Sequence, residues 1–150
     1  MFNQCLHKKK ETNDNWNTPK EAFKNLPIPK GIIFEPFTNS TCKSHDYLHE
    51  LGHEVVLGDW LCPPLYDCIV TNPPFSLIQK LLPELINRDK LFILLVPLGI
   101  LVRKYFQPYF DKINILIPKK RIHFESDKKR CPFDTIWITN IKMNKITYID

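Results

Sequence analysis

Short apolar segments of strand length alternate with helical segments along most of this 150-residue chain. Strand-length runs lie at residues 31–36, 53–57, 66–71, 91–96 and 113–117, and helical spacing occurs at 44–51, 76–87 and 99–110. Strands that alternate with helices predict a parallel sheet with helices on its faces. The chain is therefore expected to adopt an α/β fold.

The last third of the chain has a β pattern without helices. Residues 121–124, 133–141 and 145–149 are predicted to be strands, and residues 135–139 alternate well. We therefore expect a mostly parallel sheet with a C-terminal β hairpin. Residues 1–15 are polar and contain three consecutive lysines, which predicts a flexible basic arm before a single domain over residues 16–150.

The composition excludes several classes of protein. Hydrophobic residues make up 43% and charged residues 25% of the chain, which is ordinary for a globular protein. The chain has no apolar run of about 18 residues, so we expect no membrane span. Its five cysteines form no C-x-x-C pair, which favours reduced thiols and a cytoplasmic location. The net charge of +5 suits a polyanionic partner without identifying one.

Three polar clusters are expected at the carboxyl ends of strands. Glu35-Pro36-Phe37 follows the first strand, Gly58-Asp59 follows the second, and Asn72-Pro73-Pro74-Phe75 follows the third. Ligands of open α/β sheets bind outside the carboxyl ends of the strands. The three loops are therefore expected to contribute to one site.

The turn Asn72-Pro73-Pro74-Phe75 has the strongest chemical signature. Two consecutive prolines fix φ and remove two backbone donors, so the turn presents acceptors, namely the Asn72 side-chain oxygen and the Pro73 carbonyl. A planar –NH2 group needs two acceptors for its two hydrogens, and Phe75 can stack on the ring that carries this group. An amine held in this way has its lone pair aimed in one direction, ready to attack an electrophile. The alternative is a proline-rich loop with a core phenylalanine.

Residues 66–76, which include this turn, resemble the catalytic motif of S-adenosylmethionine-dependent amino-methyltransferases. They are similar in particular to DNA adenine-N6 methyltransferases of phage and restriction–modification type. Phe34-Glu35-Pro36-Phe37 is similar to the first cofactor-binding motif of that family, and Trp16-Asn17-Thr18-Pro19 is similar to its Trp-x-Thr-Pro motif. The resemblance covers residues 15–134. It implies a Rossmann-like class I methyltransferase fold and methyl transfer to the N6 amine of adenine in DNA.

The resemblance also implies roles for individual residues. Glu35 would face the methionyl amino group of S-adenosylmethionine or position the loop near it, and Asp59 would accept hydrogen bonds from the ribose hydroxyls. Trp60 would cover the adenosine ring, and the turn would hold a flipped adenine. The expected catalytic residues are Asn72, Pro73, Pro74 and Phe75. The expected cofactor-binding residues are Trp16, Thr18, Pro19, Glu35, Pro36, Phe37, Asp59, Trp60 and Asn72.

The chain departs from the family pattern in three ways. The loop at residues 37–42 has no glycine, although the family has glycines where its backbone approaches the cofactor. Only residues 60–66 separate Asp59 from the next strand, so one βα unit of the usual seven-stranded sheet is expected to be missing. The chain has no room for a target-recognition domain, which implies that loops, the arm, a homodimer or a specificity partner supplies sequence specificity.

Two basic clusters are candidates for contact with nucleic acid. Lys119-Lys120-Arg121 and Lys128-Lys129-Arg130 flank residues 122–124 and are expected to lie on one β hairpin that tracks phosphates. Lysine runs also occur for solubility alone. The same segment resembles the family motif that packs around the target base, with Arg121, Phe124 and Phe133 as candidates. DNA is accordingly the expected partner. Lysine greatly outnumbers arginine in the chain, which suggests an AT-rich genome such as that of a virus or mobile element, and then a location in a host cell.

Other functions remain open from the sequence. A similar turn serves methyl transfer to other exocyclic amines, such as those of RNA guanine or protein glutamine. A catalytically inactive protein with this fold could still bind nucleic acid. His49-Glu50-Leu51-Gly52-His53 matches the H-E-x-x-H motif of zinc proteases. That motif needs both histidines on one continuous helix, whereas Gly52 is expected to end the helix before His53.

Overall fold

The computed structural model describes residues 17–37, 43–124 and 133–150. The basic arm predicted at residues 1–15 lies outside this part of the chain. The single domain predicted over residues 16–150 therefore stays a prediction, although strands from both ends of the described chain join one sheet.

One sheet of seven strands forms the centre of the molecule, in the order β2-β1-β3-β4-β6-β5-β7. The strands are β1 (Ile32–Phe34), β2 (Glu54–Val56), β3 (Cys68–Thr71), β4 (Leu91–Pro97), β5 (Asn114–Pro118), β6 (Thr135–Thr139) and β7 (Ile146–Ile149). Two α-helices accompany them, α1 (Lys43–Glu50) and α2 (Ile78–Arg88). Short 3-10 helices occur at Lys20–Phe23, Phe75–Leu77, Leu98–Val102 and Gln107–Lys112.

The first four strands are parallel to one another, as their alternation with helices predicts. β2 lies at the edge of the sheet, and the connection from β2 to β3 contains only an isolated bridge between Asp59 and Cys62. The βα unit expected to be missing between β2 and β3 is thus absent from the described residues, while β7 at the other edge brings the sheet to seven strands. The arrangement confirms the expected α/β, Rossmann-like fold with a mostly parallel sheet.

The antiparallel part of the sheet differs in detail from the expected hairpin. β6 is inserted between β4 and β5 and is antiparallel to both, while β7 pairs in parallel with β5 at the other edge. The antiparallel neighbours are therefore β5 and β6, not β6 and β7, and residues 121–124 form no strand. Burial explains the order, because every residue of β6 is buried whereas β7 alternates between exposed and half-buried side chains. An edge position suits β7, and only an interior position suits β6.

Two apolar clusters cover the two faces of the sheet. One contains α2 side chains such as Leu82 and Leu85, and the other contains Leu48 of α1 and Phe23. Alternate residues of each strand enter opposite clusters, as for Ile93 and Leu94 of β4. The sheet is thus sandwiched between two helical layers.

The helix expected at residues 99–110 is replaced by two 3-10 helices, Leu98–Val102 and Gln107–Lys112. Pro108 lies at the start of the second one, where its missing N–H and its fixed φ are tolerated. The intervening turn exposes Arg103 and Lys104 at the carboxyl end of β4. None of the helices in the described residues is long and apolar enough to cross a membrane.

Gly31 gives a test of how β1 is anchored. Its φ is +128°, and an added Cβ would lie 2.4 Å from Oδ2 of Asp67, which accepts a hydrogen bond from the Ile32 amide at 2.7 Å. We expect Gly31→Ala to lower the free energy of unfolding by about 1–3 kcal/mol, because the left-handed backbone is strained for alanine. Urea unfolding measures this change.

Gly99→Ala is the matched control, because an added Cβ there meets no atom within 4 Å. We expect its effect to stay within about 0.5 kcal/mol. Equal effects of the two substitutions would contradict the role given to Gly31.

Candidate active site

The candidate site lies at the switch point of the sheet, where the chain order reverses between β1 and β3. β1 pairs with β2 on one side and with β3 on the other, so a crevice is expected outside the carboxyl ends of β1 and β3. Glu35 directly follows β1, and Asn72 directly follows β3. Two of the three predicted loops therefore meet at this point.

A buried carboxylate connects these two loops. The Glu35 side chain is 1% exposed, and its Oε1 accepts hydrogen bonds from the Phe37 amide at 2.9 Å and from the Thr71 hydroxyl. The Glu35 amide in turn donates to the carbonyl of Val56 in β2 at 3.0 Å. Of the two roles expected for Glu35, this geometry supports the positioning of the loop after β1.

Thr18 lies over Asn72. The Asn72 side-chain nitrogen donates to the Thr18 hydroxyl at 2.9 Å, and both residues are only 4% exposed. This bond gives the Asn72 amide one defined orientation. It also brings the segment with Thr18 and Pro19 to the same edge as Glu35, as the Trp-x-Thr-Pro resemblance implies, whereas Trp16 lies outside the described residues.

The turn after β3 is less open than its sequence predicts. Asn72, Pro73 and Pro74 are buried, and only Phe75 is half-buried. The Pro74 carbonyl accepts a hydrogen bond from the Leu77 amide at 2.9 Å, which starts the 3-10 helix after the turn. Thr18, which is 54 residues distant in the chain, engages the Asn72 side-chain nitrogen and not its oxygen. The roles of the Asn72 oxygen and the Pro73 carbonyl as amine acceptors therefore stay predictions.

Asp59 and Trp60 follow β2 but differ in their surroundings. Asp59 is half-buried, and its Oδ1 accepts a hydrogen bond from the Leu61 amide at 2.9 Å. Trp60 is 4% exposed and donates from its indole nitrogen to Glu84 of α2 at 2.8 Å. The Arg88 guanidinium lies 3.7 Å from the centre of the Trp60 ring, and the Phe37 ring lies 5.5 Å from it.

The expected role of Trp60 as cover for an adenosine ring stays a prediction, because Trp60 is buried against other residues of the chain. Arg88 already covers one face of the indole and donates to the Trp60 carbonyl at 2.7 Å. The tilted Phe37 ring lies beside the same indole. Trp60 fixes the connection after β2 against α2, while Pro36 and Phe37 are buried beside it at the end of β1.

Two aromatic rings form the most exposed part of the site. Phe75 and Phe133 lie 5.9 Å apart with their planes at 74°, and Phe133 is 40% exposed. Arg121 supports this pair, because it forms an ion pair with Asp134 at 2.8 Å and donates to the Phe133 carbonyl at 3.4 Å. Phe124 packs against the apolar cluster on the α1 side of the sheet, whereas Phe75 packs on the α2 side.

The predicted basic hairpin is only partly described. Lys119 forms an ion pair with Asp150 at 3.0 Å, and Lys120 is exposed. Lys128, Lys129 and Arg130 lie outside the described residues. Contact of this segment with nucleic acid therefore stays a prediction, and so does the homodimer or specificity partner.

Three sets of residues at this edge were missed by the sequence interpretation. Thr71 was missed as a hydrogen-bond donor to Glu35, although a polar residue at the end of an apolar strand is a usable signal of such a bond. Glu84 and Arg88 were missed because their side chains belong to a helix far along the chain from Trp60. The adjacent pair Arg103 and Lys104 was missed because residues 99–110 were expected to form one helix.

The histidine motif does not form a metal site in the described residues. α1 ends at Glu50, Gly52 has a φ of +94°, and His53 follows the turn that leads to β2. His45 and His49 stack on one face of α1, with ring centres 6.3 Å apart. No group of three potential metal ligands occurs in the part of the chain that the structure describes.

Cys68 lies in β3, shortly before the Asn72 turn. Burial raises the pKa of its thiol to about 12, with a further contribution from the negative charge of Asp67. The thiol is therefore protonated at neutral pH, and Cys68 is a core side chain and not a nucleophile.

Comparisons with known proteins leave the activity of the chain open. No protein-family model matches it, and no curated protein matches it. Among solved structures, the chain is similar to one described as a "putative RNA methyltransferase" from Pyrococcus horikoshii, with 12% sequence identity and a TM-score of 0.42. This similarity covers 75% of this chain and 74% of that chain. So distant a likeness assigns neither a substrate nor an activity here.

Thr71 provides a test of the link between the two loops. We expect Thr71→Val to lower the free energy of unfolding by about 1–3 kcal/mol, because the buried Glu35 carboxylate loses a hydrogen-bond donor. Thr71→Ser keeps the hydroxyl and should cost clearly less, as measured by urea unfolding. If the valine variant is as stable as the serine variant, the hydroxyl does not stabilise the buried carboxylate.

Proposed function

We propose that the protein transfers a methyl group from S-adenosylmethionine to the exocyclic N6 amine of adenine in DNA. The observation that supports this most is the meeting of three separate sequence motifs at the switch point. Thr18 contacts Asn72 directly, and Glu35 contacts Thr71, the residue before Asn72. Each of these motifs resembles its counterpart in the same methyltransferase family.

The described residues fit the methionine half of the cofactor better than the adenosine half. Near Asn72, the buried Glu35 and Thr18 fix polar groups and backbone at the carboxyl ends of β1 and β3. Near β2, Asp59 is the acid that would accept from the ribose hydroxyls, while Trp60 donates to Glu84 of α2. When bound, S-adenosylmethionine supplies an electrophilic methyl group on a sulfonium.

The chain would contribute orientation and not strong acid–base chemistry. The Asn72 side-chain oxygen and the Pro73 carbonyl would accept the two amine hydrogens, and Phe75 would stack on the adenine. Phe75 and Phe133 are more exposed than Asn72 and Pro73, so the base would approach the turn from their side. Orientation of this kind converts a bimolecular step into an effectively unimolecular one.

The burial of Asn72 favours a second candidate function. A catalytically inactive protein that binds nucleic acid would also keep the Asn72 turn buried against Thr18. Other amine substrates, in RNA guanine or in protein glutamine, fit the same pair of acceptors. These candidates differ from the main proposal in whether cofactor binds and in which amine becomes methylated.

Titration of the wild-type protein with S-adenosylmethionine separates an enzyme from an inactive protein. We expect binding in the micromolar range, because Glu35 and Thr18 preorganise the methionine half of the site. Isothermal titration calorimetry measures this binding, with adenosine and methionine titrated alone as controls. Absence of binding at millimolar concentration would rule out the proposed transferase.

The Asn72→Ala variant tests the assignment of the amine acceptors. We expect kcat for methyl transfer to an adenine-containing oligonucleotide to fall by at least about 100-fold, because the amine loses an acceptor and its alignment. Affinity for S-adenosylmethionine should change much less. Radiolabelled methyl transfer measures the rate, and mass spectrometry of the nucleosides identifies the product.

Two controls accompany this experiment. Asn87→Ala removes an exposed asparagine from α2 and should leave the rate unchanged. An oligonucleotide in which purine replaces adenine lacks the amine and should not be methylated. Activity that survives in Asn72→Ala would show that Asn72 does not hold the amine.

A further inference from the structure

A cleft lies beside Phe75. It has a volume of about 440 Å³ and is open to solvent. Its lining residues are Phe75, Ser76, Gln79, Arg103, Lys104 and Tyr105. The cleft joins the residues that follow the Asn72 turn with the connection that follows β4, so it belongs to the same carboxyl edge as the candidate site.

Arg103 and Lys104 give this cleft its charge. Both are exposed, and neither forms an ion pair with a carboxylate in the described residues. The basic residues that the sequence favoured for nucleic acid differ in this respect, because Lys119 pairs with Asp150 and Arg121 pairs with Asp134. Arg103 and Lys104 therefore supply the positive charge beside Phe75 that no carboxylate compensates in the described residues.

Uncharged hydrogen-bond donors in the cleft and the dipole of α2 also favour a bound anion. The first turn of α2 has no acidic side chain, so the positive end of its dipole is not neutralised there. Gln79 can donate from its side-chain amide. Burial raises the pKa of the Tyr105 phenol, although the charge of Arg103 opposes this, so the hydroxyl remains a donor at neutral pH.

We propose that this cleft binds a backbone phosphate of the nucleic acid next to the target base, with Arg103 and Lys104 as the phosphate ligands. This inference rests on the proposed function, because it places the phosphate beside the ring of Phe75 that would stack on the base. A phosphate carries the negative charge that the cleft lacks, and guanidinium and ammonium groups bind it by charge-assisted hydrogen bonds. A protein substrate with a glutamine amide has no such repeating charge, so the cleft favours nucleic acid over protein.

The test compares two charge-removing double variants. Arg103→Ala with Lys104→Ala empties the cleft of charge, whereas Lys112→Ala with Lys142→Ala removes two exposed lysines near the opposite edge of the sheet. Fluorescence anisotropy with an adenine-containing DNA duplex, its single strand and an RNA of the same sequence measures affinity from 50 to 300 mM salt, with spectroscopic confirmation of folding. Methyl transfer by each protein is measured on the same oligonucleotides.

We expect the cleft variant to bind DNA on the order of tenfold or more weakly near 0.1 M salt. The slope of log affinity against log salt should decrease by about 2, which corresponds to two lost phosphate contacts. The control variant should keep the wild-type slope. An equal loss in both variants, or no binding of either DNA or RNA by the wild-type protein, would overturn the inference. Preferential binding of RNA, with the loss confined to the cleft variant, would support the phosphate site and overturn DNA as the substrate.

The two proposals fail in different ways. If the wild-type protein methylates no amine but the cleft variant alone loses affinity and slope, the cleft is a phosphate site on an inactive protein. If the wild-type protein methylates DNA and the cleft variant keeps its affinity and its kcat/KM, the cleft inference is wrong and the proposed function stands.

Discussion

A buried carboxylate is the interaction on which the candidate site depends. Glu35 follows the first strand and has almost no contact with solvent, so its carboxyl oxygens must find hydrogen-bond partners inside the protein. Its donors come from two segments, the Phe37 amide in its own loop and the Thr71 hydroxyl at the end of β3. Because a buried oxygen that loses its donor is costly, Glu35 fixes the loop after β1 to the residue before Asn72.

The contact between Thr18 and Asn72 adds order to this edge and limits access to it. A satisfied hydrogen bond between two buried side chains holds one geometry, which is the condition for preorganised recognition of an amine. The same bond covers one side of the Asn72 turn, while Phe75 and Phe133 remain more exposed. The asymmetry of exposure also explains why the charged cleft at Arg103 and Lys104 lies beside Phe75, where a polymer can approach.

The sequence predicted local structure well and long-range contacts poorly. Apolar runs that end at proline or glycine predicted β1 to β4 and the loops after them, because these signals depend on neighbouring residues. The order of β5, β6 and β7 was not predictable in this way, since burial of both faces of β6 depends on its partners. The hydrogen bond between Thr18 and Asn72 joins residues far apart in the chain, so neighbouring residues did not indicate that the Asn72 turn is buried.

The missing βα unit explains the unusual environment of Trp60. Without that unit, β2 is an edge strand, and the connection to β3 has no helix of its own to pack against. Glu84 and Arg88 of α2 take over this role by binding the indole nitrogen, the ring and the carbonyl of Trp60. One Arg88 nitrogen is buried without a partner in the described residues, an arrangement that costs about 1–3 kcal/mol. α2 begins just after the Asn72 turn and contacts Trp60 near its other end, so one helix joins the loops that follow β2 and β3.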